Sequence, residues 1–444
     1  MYNFAQIGGR KYMFKQNRVI YIGLVILILN ILCAQTDLPL IDKKYTNEIE
    51  KLAKHPKIKN AFDRIDALEE STLNNLIYLT EIPAPPFKEE KRATAFADLL
   101  EKAGADRVFI DDVGNVIAER KGHGKSTVLI EGHLDTVFPE ETDVTVKMKG
   151  DTLFAPGIGD DTRGLSLIVT LLNAINHANI KTDATIYFAG TVGEEGLGDL
   201  RGVKHLFNSG DLKIDTYIAV DGGGLNRIVT RAVGSHRYRV TFEGPGGHSW
   251  GAFGLVNPHH ALGRAIKYFT DAADPYSRTI GPKVSYNVGR IGGGTSINSI
   301  AFESWMEVDM RSTNPKRLQK MDDLFQNAMK RALSDQNIMG RTDAKMNVDI
   351  KMVGNRPAGN IDPNNSLVKR AMASVTYLGG DPKLGNGSTN SNIPFSKNVP
   401  AITIGRGGTG KHGHSLHEWW LNKNGDLAIK NALLILISQA RLIE

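Results

Sequence analysis

Cysteine is almost absent from this sequence. The only cysteine among the 444 residues is Cys33, near the start of the chain. A single cysteine excludes a disulfide within the chain, and the residues after Cys33 contain neither a thiol nucleophile nor a thiolate metal ligand.

One apolar run near the N-terminus has the pattern of an export signal. Residues 19–34 are almost entirely apolar, and Ala34 before Gln35 offers a small residue at a cleavage point. Four basic residues precede the run without any acidic one: Arg10, Lys11, Lys15 and Arg18. This pattern predicts a signal peptide over residues 1–34 and a protein exported to the periplasm or the extracellular space. The alternative is a retained anchor helix, although the run is short for a bilayer span of about 20 residues.

Excess positive charge nearly disappears when the predicted signal peptide is discounted. The whole chain has 54 basic and 48 acidic residues and a net charge of +6. Loss of the four basic residues of the leader lowers this to +2. We therefore expect no nucleic-acid partner and no stable membrane association after cleavage.

Short apolar segments alternate with helical patterns in two parts of the chain, and a central region with another pattern separates these parts. The apolar segments cover residues 108–110, 116–118, 127–131, 184–189, 216–220 and 401–404, and a long helical pattern covers 164–177. This alternation predicts an α/β fold with a mostly parallel mixed sheet. The catalytic domain is expected in two parts, residues 35–235 and 354–444.

The central region has a different order of elements. Between residues 236 and 353 the pattern runs strand, helix, strand, strand, helix, strand. This order predicts an inserted α+β domain of ferredoxin-like type.

Acidic and histidine side chains follow the predicted strands of the α/β part. Segment 127–131 leads into His133 and Asp135, 184–189 into Glu194 and Glu195, 216–220 into Asp221, and 401–404 into a loop with His412, His414 and His417. Asp160 and Asp161 lie just before the long helix. Binding sites in open α/β sheets form beyond the carboxyl ends of the strands, so these clusters are expected to converge.

The residue types indicate a metal site. Two imidazoles and several carboxylates without thiols suit Zn²⁺ or a similar divalent ion, with Co²⁺ or Mn²⁺ as further possibilities. More carboxylates than one ion needs predict two ions that share a bridging carboxylate. Each cluster alone also fits a solvated turn, but that interpretation would have to hold for every cluster at once.

Several motifs in their order along the chain resemble one enzyme family. They are Ile82-Pro83-Ala84-Pro85, Asp112-Val113-Gly114-Asn115-Val116, Gly132-His133-Leu134-Asp135-Thr136, Gly159-Asp160-Asp161, Glu194-Glu195-Gly196 and His414-Ser415-Leu416-His417-Glu418. The set resembles the co-catalytic zinc metallopeptidases that include acetylornithine deacetylase, succinyl-diaminopimelate desuccinylase and tripeptide aminopeptidase. The resemblance covers nearly the whole chain after the leader.

The resemblance implies a role for each residue of the motifs. It implies that His133 and Asp221 bind one metal ion, that Glu195 and His414 bind the other, and that Asp160 bridges them. His412 and His417 remain alternatives to His414. Asp135 is expected to fix the tautomer of His133, and Asp161 to support the backbone. Glu194 is the expected general base for the metal-bridging water.

The insertion resembles the lid and dimerisation domain of the same family. Gly246-Gly247-His248-Ser249 matches a lid loop whose histidine reaches an active site, often that of a partner subunit. His248 is thus expected to stabilise the tetrahedral oxyanion in a homodimer. Asn298 and Arg311 match positions that hold the substrate, although Arg311 also suits a structural salt bridge.

Two departures from the family pattern bear on the substrate. Asn390 stands where relatives usually have Asp, and Asp221 stands where deacylases have Glu. Asp221 resembles the aminopeptidase and dipeptidase branches, so we predict a hydrolase of short peptides. An N-acyl-amino-acid deacylase or a carboxypeptidase is the alternative on the same scaffold, and a catalytically inactive binding protein is a third.

A glycine-rich segment resembles a nucleotide-binding fingerprint. Residues 405–410 have the Gly-x-Gly-x-x-Gly form and follow the predicted strand 401–404, but histidines come directly after them. Too little chain remains for the rest of a dinucleotide-binding unit, so we expect no nucleotide site here.

Overall fold

The structure is a computed structural model that describes residues 41–443. The predicted signal peptide, residues 1–34, lies outside the described residues and stays a prediction. Within residues 41–443, no helix combines the length and the apolar character needed to cross a membrane.

The described chain contains helices and strands in alternation. The helices are α1 (Lys43–Lys54), α2 (Pro56–Ala67), α3 (Glu69–Thr80), α4 (Glu90–Lys102), α5 (Thr162–His177), α6 (Arg201–Asn208), α7 (Pro258–Ser277), α8 (Pro315–Met339), α9 (Ser366–Tyr377), α10 (Asn392–Ser396) and α11 (Gly425–Ala440). The strands are β1 (Arg107–Ile110), β2 (Val116–Arg120), β3 (Thr127–His133), β4 (Lys147–Lys149), β5 (Thr152–Phe154), β6 (Lys181–Thr182), β7 (Thr185–Thr191), β8 (Thr216–Val220), β9 (Arg227–Ala232), β10 (Gly234–Glu243), β11 (Gly247–His248), β12 (Val284–Gly293), β13 (Ser299–Ile300), β14 (Glu303–Ser312), β15 (Asn347–Arg356), β16 (Gly359–Asn360), β17 (Lys383–Gly387), β18 (Ala401–Ile404), β19 (Thr409–Lys411), β20 (Trp419–Leu421) and β21 (Leu442–Ile443).

A nine-stranded mixed sheet forms the larger core. Its order is β1-β2-β7-β3-β8-β18-β9-β16, and β17 pairs with β9. The four central strands β7, β3, β8 and β18 are parallel to one another, whereas β1, β2 and β9 join antiparallel. Every residue of β3 is buried, as expected for a central strand covered on both faces. The predicted α/β fold with a mostly parallel sheet is confirmed.

The helices that cover this sheet pack their apolar faces against it. Helix α5 is buried along most of its length and packs on β3, α2 and α3. Helix α11 carries a continuous apolar run, Leu433–Ile437, that is fully buried in the same core. A helix with apolar residues on nearly every side needs such complete enclosure.

The inserted region builds a second, smaller sheet. Its strand order is β12-β14-β10-β15, and all of its pairs are antiparallel. Strand β14 alternates buried and half-buried residues, so one face meets helices α7 and α8 and the other does not. Both helices begin at a capping asparagine followed by proline: Asn257 before Pro258 and Asn314 before Pro315. Apart from the two-residue strands β11 and β13, the element order is the strand–helix–strand–strand–helix–strand order predicted for the insertion.

A small four-stranded sheet joins two loops that are far apart in sequence. Its order is β19-β20-β5-β4, with Trp419 paired with Phe154. This pairing holds the loop after β5 beside the loop between β19 and β20. Residues 155–161 and 412–418 are thereby neighbours at one end of the large sheet.

Candidate metal centre

The predicted metal ligands lie at one edge of the large sheet. His133 is the last residue of β3, Asp221 directly follows β8, and Glu194 and Glu195 follow β7. His414 comes after β18 in the chain, in the loop between β19 and β20. These are the four central parallel strands, so their carboxyl ends meet at the same edge.

Five side chains form two donor groups that share one residue. The first group is His133, Asp160 and Asp221, and the second is Asp160, Glu195 and His414; the donor atoms within each group lie within 4.8 Å of one another. Oδ1 of Asp160 is 3.2 Å from Nε2 of His133, and its Oδ2 is 3.4 Å from Nε2 of His414. The two oxygens of Asp160 therefore face different groups, as a bridging carboxylate requires. These five residues are the set that the family resemblance implied, and their role as metal ligands stays a prediction.

His414 reaches the cluster from a strained loop. Its φ is 64°, in the left-handed region that non-glycine residues rarely adopt. Its Nε2 lies 2.8 Å from Oε1 of Glu195, and hydrogen bonds to Asp160 and Glu195 raise the pKa of His414 to about 10. In the described part of the chain, neither His412 nor His417 has a side-chain ion pair with this cluster.

Asp135 connects the strand end of β3 with the loop after β7. Its two carboxylate oxygens accept hydrogen bonds from the backbone N–H groups of Glu194 (2.9 Å) and Glu195 (2.7 Å). Nδ1 of His133 lies 2.9 Å from the backbone oxygen of Asp135 and 3.7 Å from its carboxylate. Asp135 thus contacts the His133 ring chiefly through its main chain, and its role in fixing the tautomer of His133 stays a prediction.

Glu194 is buried next to an arginine from the end of the insertion. Nη1 of Arg356 donates to Oε1 of Glu194 at 3.0 Å, and Nη2 contacts the backbone oxygen of the same residue. Burial raises the pKa of the Glu194 carboxyl well above its usual range, and Arg356 offsets only part of this rise. A carboxyl with a raised pKa is suited to accept and return a proton near neutral pH.

Two further acidic residues hold the backbone of the site. Asp161 is fully buried, and its Oδ2 accepts from the backbone N–H of His133 at 3.1 Å. Gly164 leaves room for this carboxylate, since a Cβ there would lie 2.4 Å from Oδ1 of Asp161. Glu418 accepts from the backbone N–H groups of Gly157 (2.8 Å) and Gly159 (2.9 Å). The loop that presents Asp160 is therefore held from both sides.

The sequence analysis missed two arginines of the site, Arg356 and Arg406. Besides Arg356, the structure brings Arg406 among the carboxylates, where Nη1 is 3.0 Å from Oδ1 of Asp160. Arg406 lies in the glycine-rich segment 405–410 that resembles a nucleotide fingerprint. Arg406 closely follows the end of β18, and the three other central parallel strands also lead into site residues. This position is the signal that could have identified it.

The lid residues lie apart from this cluster in the described chain. His248 is exposed, and its Nδ1 accepts from the backbone N–H groups of Trp250 and Gly251. The backbone oxygen of Asn298 accepts from the N–H of Ser249, so Asn298 and His248 are neighbours. Nε of Arg311 is 2.7 Å from Oδ2 of Asp309. The substrate roles of these three residues stay predictions.

Asn390, the departure from the family pattern, is buried rather than turned to solvent. Its Nδ2 donates to Oγ1 of Thr191 at 2.8 Å and to Oε2 of Glu131 at 3.1 Å. The amide therefore belongs to a buried network beneath the strand ends.

A comparison with known families matches this architecture. The family model described as peptidase family M20/M25/M40 matches residues 129–434, which include the five ligand candidates and Glu194. The chain belongs to this family. The resemblance inferred from the motifs is thereby confirmed, and so is the prediction of an amide-bond hydrolase at the level of the family.

The individual relatives match this chain over part of its length or at low sequence identity. The chain is 34% identical over 158 residues to a putative [LysW]-lysine/[LysW]-ornithine hydrolase of Pyrococcus abyssi; the alignment covers 35% of this chain and 42% of that protein. The chain thus spans less than half of the length of that relative. Aminopeptidase PepT of Bacillus cereus has a similar structure, with a TM-score of 0.66 at 20% identity, over 84% of this chain and 99% of that one.

A second solved structure also has a fold similar to that of this chain. The YXEP protein of Bacillus subtilis, titled a dinuclear metal-binding peptidase of the M20 family, has a TM-score of 0.60 at 16% identity. The similarity covers 84% of this chain and 99% of that chain. At these identities the likeness concerns the fold, which agrees with the two sheets described above.

Proposed function

We propose that this protein is a two-metal hydrolase that cuts the amide bonds of short peptides, of aminopeptidase or di- and tripeptidase type. The observation that carries the proposal is the position of Asp160 between two donor groups, with one carboxylate oxygen toward each. A shared carboxylate between two sets of nitrogen and oxygen donors is the arrangement of co-catalytic metal sites.

The donor chemistry fits divalent metal ions. His133 and Asp221 would hold one ion, Glu195 and His414 the other, and Asp160 both. Imidazole and carboxylate ligands suit Zn²⁺, and they also accept Co²⁺ or Mn²⁺. When bound, such a pair of ions supplies Lewis-acid activation of the scissile carbonyl and of water.

Glu194 is the proposed proton carrier of the reaction. It takes the proton from the attacking water and later delivers it to the leaving amine nitrogen. Its backbone N–H is held by Asp135 and one carboxylate oxygen by Arg356, so that the other oxygen, Oε2, is left for this proton. Because Arg356 holds one oxygen and Asp135 holds the backbone, the carboxylate needs little reorientation during the reaction.

The choice of a peptide substrate rests on Asp221. An aspartate at this position resembles the peptidase branches of the family, and aminopeptidase PepT shares the fold. The second candidate is a deacylase or another amide hydrolase of modified amino acids. The name of the Pyrococcus abyssi relative, a putative [LysW]-lysine/[LysW]-ornithine hydrolase, favours that candidate.

We extend the proposal to the lid and to the location of the protein. His248 is the proposed oxyanion donor, Asn298 and Arg311 are the proposed substrate contacts, and the lid is the proposed homodimer interface. Two large side chains beside His248, Trp250 and Phe253, are 88% and 72% exposed, which supports a contact with a substrate or a second subunit. The leader pattern supports export to the periplasm or the extracellular space.

Substrate profiling of the metal-loaded protein tests the proposal. The panel contains matched dipeptides and tripeptides with a free amine, the same peptides N-acylated, and the same peptides amidated at the C-terminus. We expect hydrolysis of the free-amine peptides and loss of turnover on N-acylation. Preference for the N-acylated members would select the deacylase, and no hydrolysis of any member by a protein that carries two ions would contradict the proposal.

A further inference from the structure

Arg406 lies in the position that a cation would take in the first donor group. Its Nη1 is 3.0 Å from Oδ1 of Asp160 and 3.3 Å from Oδ1 of Asp221. A third carboxylate oxygen, Oδ1 of Asp161, is also 3.3 Å away. A single guanidinium nitrogen thus contacts three acidic side chains, two of which belong to the proposed ligand set.

The contact is built into the fold. The side chain of Arg406 is 11% exposed, and its backbone N–H donates to the oxygen of Gly222 at 2.9 Å, next to Asp221. Gly159 lies against the guanidinium, since a Cβ there would be 3.5 Å from Nη2. A guanidinium keeps its charge at any pH at which the protein is folded. Arg406 is therefore a permanent internal cation beside Asp160 and Asp221.

The two donor groups differ in this respect. Oδ1 of Asp160, which faces His133, is the oxygen that Arg406 contacts, whereas Oδ2 faces His414. Within the described residues, no lysine or arginine makes an ion pair with Glu195. The charge of Arg406 thus acts on the first group far more than on the second.

A fixed positive charge opposes a divalent ion that needs the same oxygens. At about 3–4 Å the repulsion between charges is strong even at the effective dielectric of a protein surface, so metal binding must displace or outweigh the guanidinium. Without metal, the same contact removes the cost of leaving neighbouring buried carboxylates unpaired. Arg406 thus has opposite effects on the metal-free and the metal-loaded protein.

We propose that Arg406 competes with the metal at the His133–Asp160–Asp221 position, so that the two positions load unequally. The Glu195–His414 position fills first, and the His133–Asp221 position fills only at higher metal concentration. This inference rests on the two-metal function proposed above, and it makes the fully loaded enzyme dependent on the supply of divalent ions. Arg406 is thus a positioning residue, because it acts on the metal through its contacts with the ligands Asp160 and Asp221.

Variants with a single remaining position test the proposal without an activity assay. His414→Ala leaves the first position, and His133→Ala leaves the second as the matched control. Arg406→Gln is added to each, and Zn²⁺ affinity is measured by competition with a chelating dye. We expect Arg406→Gln to tighten binding roughly tenfold or more in the His414→Ala protein and to change it less than about twofold in the His133→Ala protein. Equal changes in both, or weaker binding in the first, would overturn the proposal.

Titration of the unaltered protein gives a second, independent test. Two Zn²⁺ affinities are expected, with the tighter one lost in His414→Ala and the weaker one lost in His133→Ala; the opposite assignment contradicts the inference. This test stands even if Arg406→Gln does not fold without metal. A wild-type protein that binds no second ion would instead reject the two-metal function itself, so the two failures are distinguishable.

Discussion

The backbone N–H of Glu195 donates a 2.7 Å hydrogen bond to the carboxylate of Asp135, which is buried behind His133. The other carboxylate oxygen accepts from Glu194 at 2.9 Å. Burial alone would raise the pKa of Asp135, but the hydrogen bond and charge of His133 outweigh it and lower the pKa. One ionised side chain therefore sets the position of a proposed ligand and of the proposed base.

Replacing this carboxylate should impair both metal binding and turnover. In Asp135→Asn one oxygen becomes an NH₂ group that cannot accept from a backbone N–H, so one of the two hydrogen bonds is lost. We expect metal affinity and turnover each to fall by roughly 10–100-fold. Zn²⁺ titration and initial rates on the same preparations measure both quantities. Unchanged values for both would show that the Glu194–Glu195 loop is held by other contacts.

Glu194→Gln should separate catalysis from metal binding. The amide keeps the shape of the side chain but cannot accept a proton. Turnover should fall by roughly 10²–10⁴-fold, while the metal content stays at the wild-type value. Metal analysis and measurement of kcat decide the outcome. The matched control is Glu141→Gln at an exposed position, which should retain wild-type turnover. Near-normal kcat in Glu194→Gln would assign the base to another residue.

His248 should contribute to the reaction although it lies on the lid. If it donates to the oxyanion, His248→Ala lowers turnover by roughly 10²–10³-fold and leaves metal binding intact. Its exposed position suits donation to a partner's site. Co-expression of His248→Ala with Glu194→Gln would then give heterodimers with one complete site and partly recovered activity. Purified heterodimers without any recovery would exclude donation across the interface.

Export should remove the N-terminal segment. The basic residues and apolar run predict a mature N-terminus near Gln35. N-terminal sequencing of protein from the exported fraction measures it directly. A chain that retains residues 1–34 and stays with the cells would instead support the anchor helix.

The sequence by itself determined where the strands end and which side chains follow them. Apolar segments bounded by glycine and acidic residues are local signals, and the observed strands agree closely with them: segment 216–220 is β8, and segment 401–404 is β18. The motif around His133 and that around Glu194 are also contiguous in the chain. The parallel order of the strands then places their ends at one edge.

The tertiary structure alone decided how those side chains face one another. The division of Asp160 between His133 and His414 depends on the pairing of β5 with β20, and Arg406 reaches Asp160 across 246 residues of sequence. Arg356 is likewise 162 residues from Glu194. No periodicity or local motif encodes such contacts, because they arise only when strands and loops that are distant in the chain are packed side by side.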